Sequence, residues 1–176
     1  MDLRIGQGYD SHRFAAGRDL ILCGEKIPFE LGLAGHSDAD APVHALIDAL
    51  LGALALGDIG HFFPDTDPRW KDADSLELLR LTLVDPAFAG WKIGNVDLTV
   101  ITQKPKLAPH IGSMRENLAA ALGIGVDRVS VKAKTNEGMG FTGRLEGLEA
   151  QAVVLLFQKT NNPCGENLPY SKEKSW

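Results

Sequence analysis

LRIGQGYDSHRF (residues 3–14) reads as an opening β-strand, and GHSDADAPVHALIDALLGALAL (residues 35–56) as a loop running into a strongly periodic helix. Together they decide the fold. Alternate side chains of a strand leave the same face, so Asp10 and His12 point the same way. His44 falls in the first turn of the helix. An Asp, a His and a second His from separate elements suit a metal site with one position open, because catalytic zinc commonly takes three N and O protein ligands. Such a pair on a strand more often marks solvent-facing polar residues or a local hydrogen bond.

The helix is the clearest element. Val43, Leu46, Ile47, Leu50, Leu51 and Leu54 recur with helical period and form one apolar stripe. Asp40 is placed to cap it, and Pro42 fits its first turn, where the missing N–H costs little. His44 and Asp48 share a further face one turn apart. If His44 is a ligand, Asp48 can accept a hydrogen bond from its other ring nitrogen; an exposed i, i+4 pair has the same spacing.

Outward from these stretches, LILCGEKIPFE (20–30) reads as a second strand or hairpin broken at Gly24 and Pro28. DIGHFFPDTDPRWKDADS (58–75) is the longest irregular segment, a binding loop or a plain surface connection. Asp74 with Glu77 starts a second helix over SLELLRLTLV (75–84). Strict alternation predicts a strand over Val96–Thr102. A third long helix, HIGSMRENLAAALG (110–123), stops at Gly123. DRVSVKAKTNE (127–137) is another strand, with Val129, Val131 and Ala133 on one face and Lys132 and Lys134 on the other. GMGFTGRLEG (138–147) reads as a glycine-rich turn, and LEAQAVVLLFQK (148–159) as a final strand buried on both faces in its second half. Strands and helices mingle with hairpin-like connections. This predicts a single compact α+β domain over residues 1–159, with helices on one side of a mixed β-sheet. The polar, aperiodic residues 160–176 read as a disordered C-terminal tail.

The 176 residues fit one domain with a proper core. A net charge of −5 argues against general nucleic-acid affinity, which needs broad phosphate neutralisation. It leaves room for an anionic small molecule, because a bound cation overrides the global sign locally. Cys23 and Cys164 are too few for a disulfide framework, which points to a reduced, cytoplasmic setting. No signal peptide is apparent, and the nearly apolar run Ala49–Leu56 is far too short to span a bilayer.

Four long motifs occur in register: RIGQGYDSH (4–12), GHSDADAPVHALIDALLGALALGDIGHFFPDTDP (35–68), NVDLTVITQKPKLAPHI (95–111) and VKAKTNEGMGFTGRLEG (131–147). Through them the chain closely resembles the 2-C-methyl-D-erythritol 2,4-cyclodiphosphate synthase family of the non-mevalonate isoprenoid pathway, over roughly residues 2–159. The resemblance implies a homotrimer with active sites between subunits. Each site would use Zn2+ and a second divalent ion, Mg2+ or Mn2+, to convert 4-diphosphocytidyl-2-C-methyl-D-erythritol 2-phosphate into a cyclic diphosphate and CMP.

Carried over by motif, Asp10, His12 and His44 match the zinc ligands and Glu137 the holder of the second cation. His36 and Thr135 match the positions that stabilise the transition state, and Ser37 a phosphate contact. Asp58, Ile59 and Gly60 match substrate-binding positions, and Phe63, Pro64, Asp65, Thr66 and Asp67 match those against the methylerythritol part. A neighbouring subunit's Thr102, Gln103, Lys104, Pro105, Lys106, Leu107 and Ala108, with its Ala133, Lys134, Thr135, Asn136 and Glu137, match the cytidine and diphosphate pocket. Phe141 and Arg144 match ligand positions near the threefold axis, where the resemblance also implies a place for an isoprenoid diphosphate. Two departures stand out. Ala39 occupies a usual glycine position and requires a backbone conformation that alanine can adopt, and Gln7 replaces a frequent histidine. The residues alone also admit a zinc hydrolase of phosphate esters, or a catalytically idle trimer that binds nucleotides or isoprenoid diphosphates. The survival of Asp10, His12, His44 and Glu137 together argues against idleness.

Overall fold

The structure, a computed structural model, describes residues 2–158. Strand β1 (Asp2–Ala15) is followed by a tight hairpin of β2 (Leu20–Leu22) and β3 (Glu25–Ile27), and by the short β4 (Gly32–Leu33). Then come helices α1 (Ala41–Ala53), α2 (Ile59–Phe62) and α3 (Ser75–Leu83), and strand β5 (Trp91–Ile101). Helix α4 (Ile111–Leu122), strand β6 (Val129–Lys134), the single turn α5 (Gly140–Gly143) and strand β7 (Gly147–Gln158) follow. The main sheet has the order β4-β1-β7-β5-β6. It is mixed: β5 and β6 run parallel, and the other neighbours are antiparallel.

Among the described residues, helices cover one face of the sheet only. α1 lies on β1 and β7, α4 on β6, and α3 packs between α1 and α4. The seating of α1 depends on two glycines. A Cβ at Gly6 would stand 1.8 Å from the Ala49 carbonyl oxygen, and one at Gly8 1.9 Å from that of Ala45. The helix backbone therefore rests directly on the strand backbone. Ala45 and Ala49 are fully buried there, while the Leu46, Leu50 and Leu51 side chains fill the core beside them. The apolar stripe predicted an amphipathic helix; with small residues pressed on the sheet, α1 is instead buried almost all round.

Asp40 caps α1, accepting the Val43 amide, with Pro42 in the first turn as the sequence predicts. Asp74 caps α3, and Gly123 ends α4 in the left-handed conformation at φ 65°. Four expectations need correction. β5 begins at Trp91, five residues before the alternating run, because a bulge around Ile93–Asn95 breaks the alternation. The glycine-rich segment after residue 137 contains the helical turn α5. The irregular segment 58–75 holds α2 and a 3-10 turn at Pro68–Trp70. The second half of β7 is buried on one face only: Val154 and Leu156 face the helices, whereas Val153 is 44% exposed. Ala39 does adopt the conformation its position demands, at φ 60°, a region that favours glycine. The tail at 160–176 lies outside the described residues.

Candidate metal and phosphate site

Strand parity puts Gly6, Gly8, Asp10 and His12 on the helix-facing side of β1. α1 runs back along the strand from its N-terminus, so the first helical turn overhangs Asp10 and His12. That brings His44 to them across 34 and 32 residues of chain. Asp10 Oδ2 lies 3.0 Å from His12 Nε2 and 3.0 Å from His44 Nδ1, and the two ring nitrogens are 3.3 Å apart. A tetrahedral zinc with bonds near 2.0–2.1 Å separates its ligand atoms by about 3.3 Å, so this triangle has the size of one face of such a site. Among the described residues, these three form the group of His, Cys, Asp and Glu side chains able to hold an ion together.

The chemistry of the donors also fits a cation. His12 Nδ1 stands 2.7 Å from the Ala34 carbonyl, which can only accept, so Nδ1 carries the proton and Nε2 presents its lone pair. Two ring lone pairs and a carboxylate oxygen pointing at one spot repel unless a proton or a metal ion sits between them. The metal-free protein uses the proton. Burial tends to lower the His12 pKa, but the hydrogen bond and charge of Asp10 outweigh it and the pKa rises. Burial tends to raise that of Asp10, yet hydrogen bonds to His12 and His44 hold its carboxyl well below the usual range.

The cleft beside this triangle, about 400 Å³, is lined by His12, His36, Ser37, His44, Ile59, Gly60, Phe63, Pro64 and Asp65, with Trp70 and Leu78 behind them. It thus gathers much of the expected methylerythritol side. The Asp58 carboxylate caps α2 by accepting the His61 amide, and Asp67 pairs with Arg69 while its carbonyl lies 3.4 Å from His36 Nε2. Thr66 is exposed on the same segment. Trp70, missed in the sequence reading although it is an aromatic inside the irregular segment, stands edge-on to Phe63 at 5.0 Å between ring centroids.

A second, smaller hollow of about 180 Å³ is lined by Thr102, Gln103, Pro105, Lys106, Leu107, Ala108, Ala133, Lys134 and Thr135. Thr102 donates to the Lys104 carbonyl, and Thr135 donates to Glu137 at 2.7 Å. Asn136 precedes Glu137, which is itself in the left-handed region at φ 50°. Asp10 is level with Ala150, Val100 and Ala133 across the sheet, so both hollows open at one end of it. They are three strands apart, roughly 14 Å at the usual strand spacing. The chain does not bring Glu137 to Asp10, His12 and His44. Phe141 is 36% exposed, and Arg144 pairs with Glu146 at 2.7 Å.

Supporting contacts differ from the spacing argument. Asp48 does not bond His44; its carboxylate accepts the Ile59 amide at 2.7 Å and so anchors the start of α2. His44 Nε2 instead meets Ser75 at 2.9 Å and Ser37 at 3.2 Å. Arg18 donates to the Gly35 and Ser37 carbonyls on either side of His36.

The YgbB family model matches residues 3–157. The chain belongs to the YgbB family. It is 61% identical over 155 residues to the 2-C-methyl-D-erythritol 2,4-cyclodiphosphate synthase of Neisseria gonorrhoeae, covering 88% of this chain and 97% of that one. Among solved structures, a CDP-bound 2C-methyl-D-erythritol-2,4-cyclodiphosphate synthase is 44% identical with a TM-score of 0.80, covering 88% of this chain and all of that one. The bifunctional IspDF of Campylobacter jejuni gives a TM-score of 0.84 at 41% identity, covering 89% of this chain and 43% of the longer one. Among the described residues of this YgbB protein, no helix is long and apolar enough to cross a membrane.

Proposed function

We propose that the protein is a 2-C-methyl-D-erythritol 2,4-cyclodiphosphate synthase, a phosphorus–oxygen lyase of the cytoplasm acting in the non-mevalonate route to isoprenoid precursors. The observation that carries the reading is the convergence of Asp10, His12 and His44 at the mouth of a cleft that also presents His36 and Ser37. Asp10, His12 and His44 would hold Zn2+, and Glu137 Mg2+ or Mn2+. When bound, these cations neutralise the diphosphate and polarise its P–O bonds.

The substrate supplies its own nucleophile. An oxygen of the 2-phosphate forms a bond to the β-phosphorus, the bond from that phosphorus to the α-phosphate oxygen breaks, and CMP leaves with the electron pair. No protein nucleophile is needed, so the side chains contribute position and charge stabilisation. His36 donates a hydrogen bond to a phosphoryl oxygen as charge builds there, and Thr135, whose proton Glu137 accepts in the metal-free chain, would do so once Glu137 holds the cation. Ser37 holds a phosphate. Phe63, Pro64 and Ile59 give the methylerythritol part an apolar wall, and the hollow at Thr102–Ala108 and Ala133–Thr135 takes the cytidine end.

Within one chain the two hollows are three strands apart, which supports sites completed between neighbouring subunits. Among the described residues nothing covers the other sheet face, where Ile5 is 72% exposed, Leu3 55% and Val153 44%, which supports the same assembly. A closed homotrimer burying that face would bring one chain's zinc ligands toward its neighbour's Glu137. Phe141 and Arg144 then border the axis, where an isoprenoid diphosphate can bind. Residues 160–176 lie beyond the catalytic domain of residues 1–159.

The test is phosphorus NMR of the full-length protein incubated with 4-diphosphocytidyl-2-C-methyl-D-erythritol 2-phosphate, Zn2+ and Mg2+. CMP with a cyclic diphosphate is the expected result. A linear product with incorporated water would make the protein a hydrolase, and no turnover by folded, zinc-loaded protein would leave only binding.

A further inference from the structure

We propose that Ser75 and Asp38 form a hydrogen-bond relay that fixes the proton of His44 on Nε2, which makes both of them positioning residues for the metal centre. The inference rests on the metal reading above and adds residues that none of the sequence motifs single out for a role.

The relay follows from counting protons. The His44 Nδ1 atom is the one that points at Asp10 Oδ2 and His12 Nε2. Its Nε2 atom points away, 2.9 Å from Ser75 Oγ. A serine hydroxyl has one proton and two lone pairs, whereas an ionised carboxylate only accepts. Ser75 Oγ is in close contact with Asp38 Oδ1, so the hydroxyl proton goes to Asp38 and lone pairs face the ring. His44 can then meet Ser75 only by donating from Nε2, and Nδ1, which shares a proton with Asp10 in the metal-free protein, is the atom left to face a metal ion. Ser37 Oγ, at 3.2 Å from the same nitrogen, already accepts the Ala39 amide. Its own hydroxyl proton stays available to a phosphate oxygen.

The surroundings hold this arrangement rigid. Ser75 is fully buried at the first position of α3. Asp38 Oδ2 accepts the Ser75 amide at 3.0 Å, Asp38 Oδ1 accepts the Asp40 amide at 3.2 Å, and the Asp38 amide donates to the Ala73 carbonyl at 3.1 Å. The loop before α1 and the start of α3 are therefore tied together beside the metal ligand. Removing Asp38 frees the Ser75 proton to point at Nε2. That favours the opposite tautomer, with the proton on Nδ1, where it blocks the metal. Removing Ser75 leaves Nε2 only its longer contact to Ser37 at 3.2 Å, so the ring is held less firmly.

The test measures zinc affinity of the full-length protein by competition with a chromophoric chelator. It compares wild type, Ser75→Ala, Asp38→Ala and the double variant, with the melting temperature of each metal-free protein as the control for folding. Alanine suits the first turn of α3, whose Asp74 cap is untouched, so Ser75→Ala should fold. Both single variants should bind zinc about 10- to 100-fold more weakly, the usual cost of losing a partner behind a metal-bound histidine. The double variant should be no weaker than the worse single one, because the two residues act through one ring nitrogen. In zinc-loaded wild type the His44 Nε2 proton should appear in a proton–nitrogen spectrum and exchange slowly; in Ser75→Ala it should exchange fast. Lower melting temperatures with zinc affinity within about threefold of wild type would overturn the relay and leave a purely structural contact. Multiplying losses in the double variant would overturn it too. A wild-type chain that binds no zinc would instead overturn the metal reading itself.

Discussion

Replacing Gly8 by alanine should damage stability and metal binding together, because the same contact seats the core helix and positions His44. The added Cβ would stand 1.9 Å from the Ala45 carbonyl oxygen and 2.7 Å from the Ala49 amide nitrogen, both backbone atoms. Side-chain Cβ atoms essentially never come closer than 3.0 Å to such groups, so α1 must lift by about 1 Å at that point. Overpacking a core typically costs about 1–3 kcal/mol, and a backbone-on-backbone clash with no rotamer to escape into belongs at or above the top of that range. His44 is the residue next to Ala45. Lifting it about 1 Å opens the 3.0–3.3 Å triangle of donor atoms to roughly 4 Å, wider than a tetrahedral zinc can bridge. Urea unfolding of metal-free Gly8→Ala should therefore show a loss of about 3 kcal/mol or more, and zinc competition a loss of at least about tenfold. Gly52→Ala is the paired control. It lies on the exposed side of the same helix, its Cβ would meet only the Gln7 carbonyl at 3.8 Å, and it should gain about 0.5–1 kcal/mol. A Gly8→Ala protein within about 1 kcal/mol of wild type, or one that is destabilised but binds zinc normally, would refute the coupling of seat and site.

Four further outcomes are expected. His44→Ala and Glu137→Gln subunits should each be inactive alone; random reassembly from denaturant should restore about a quarter of the wild-type sites if each spans two chains of a closed ring, and no recovery would mean that sites lie within single chains. Burial pushes the Asp40 carboxyl from 3.8 up to about 7, against the amide bonds it accepts from Gly24 and Cys23. An acid raised on folding contributes most below its unfolded value and loses that contribution as pH climbs through its folded one. Metal-free wild type should thus lose up to about 4 kcal/mol relative to Asp40→Asn between about pH 4 and pH 7, and a pH-independent difference in urea midpoints would contradict this. Arg18→Met should cut turnover by about tenfold or more at unchanged zinc affinity, because the guanidinium holds the carbonyls flanking His36; equal loss of both would place Arg18 in the metal site instead. Deleting residues 160–176 should leave turnover intact, and a large loss would tie the tail to the site or the assembly.

Strand parity and helix periodicity carried the sequence reading wherever the information is local. Asp10 and His12 had to share a face once the segment was a strand, and the first turn of α1 had to hold His44 once Asp40 and Pro42 fixed its start. The distance between His44 and the other two is another matter. It is set by Gly6 and Gly8, whose missing side chains let α1 sink onto β1, and a glycine in a strand does not announce which backbone will approach it. Asp48 shows the same limit from the opposite side. It shares a helix face with His44, as i, i+4 residues do, yet its carboxylate is satisfied by the Ile59 amide, a partner that only the chain's turn after α1 supplies. Ser75 and Asp38, 37 residues apart, were not legible at all as a support for His44, since hydrogen bonds between loop ends leave no period.

The misreading of β7 has a different cause. VVLLF reads as buried on both faces because apolar composition reports how much water a strand avoids in its working state. In the single chain Val153, together with Ile5 and Leu3 on β1, remains in contact with solvent. Such a contiguous apolar face is costly to leave uncovered and marks an interaction surface. In the proposed trimer that face is covered, so the composition describes the assembly while the exposure describes one subunit. Ile5→Glu places a charge at the centre of the face without touching α1, Asp10 or His12. It should give a folded monomer that still binds zinc but has lost turnover, because Glu137 of a neighbour no longer reaches the site. A monomer retaining full turnover would show that the three-strand gap between the two hollows is closed within one chain after all.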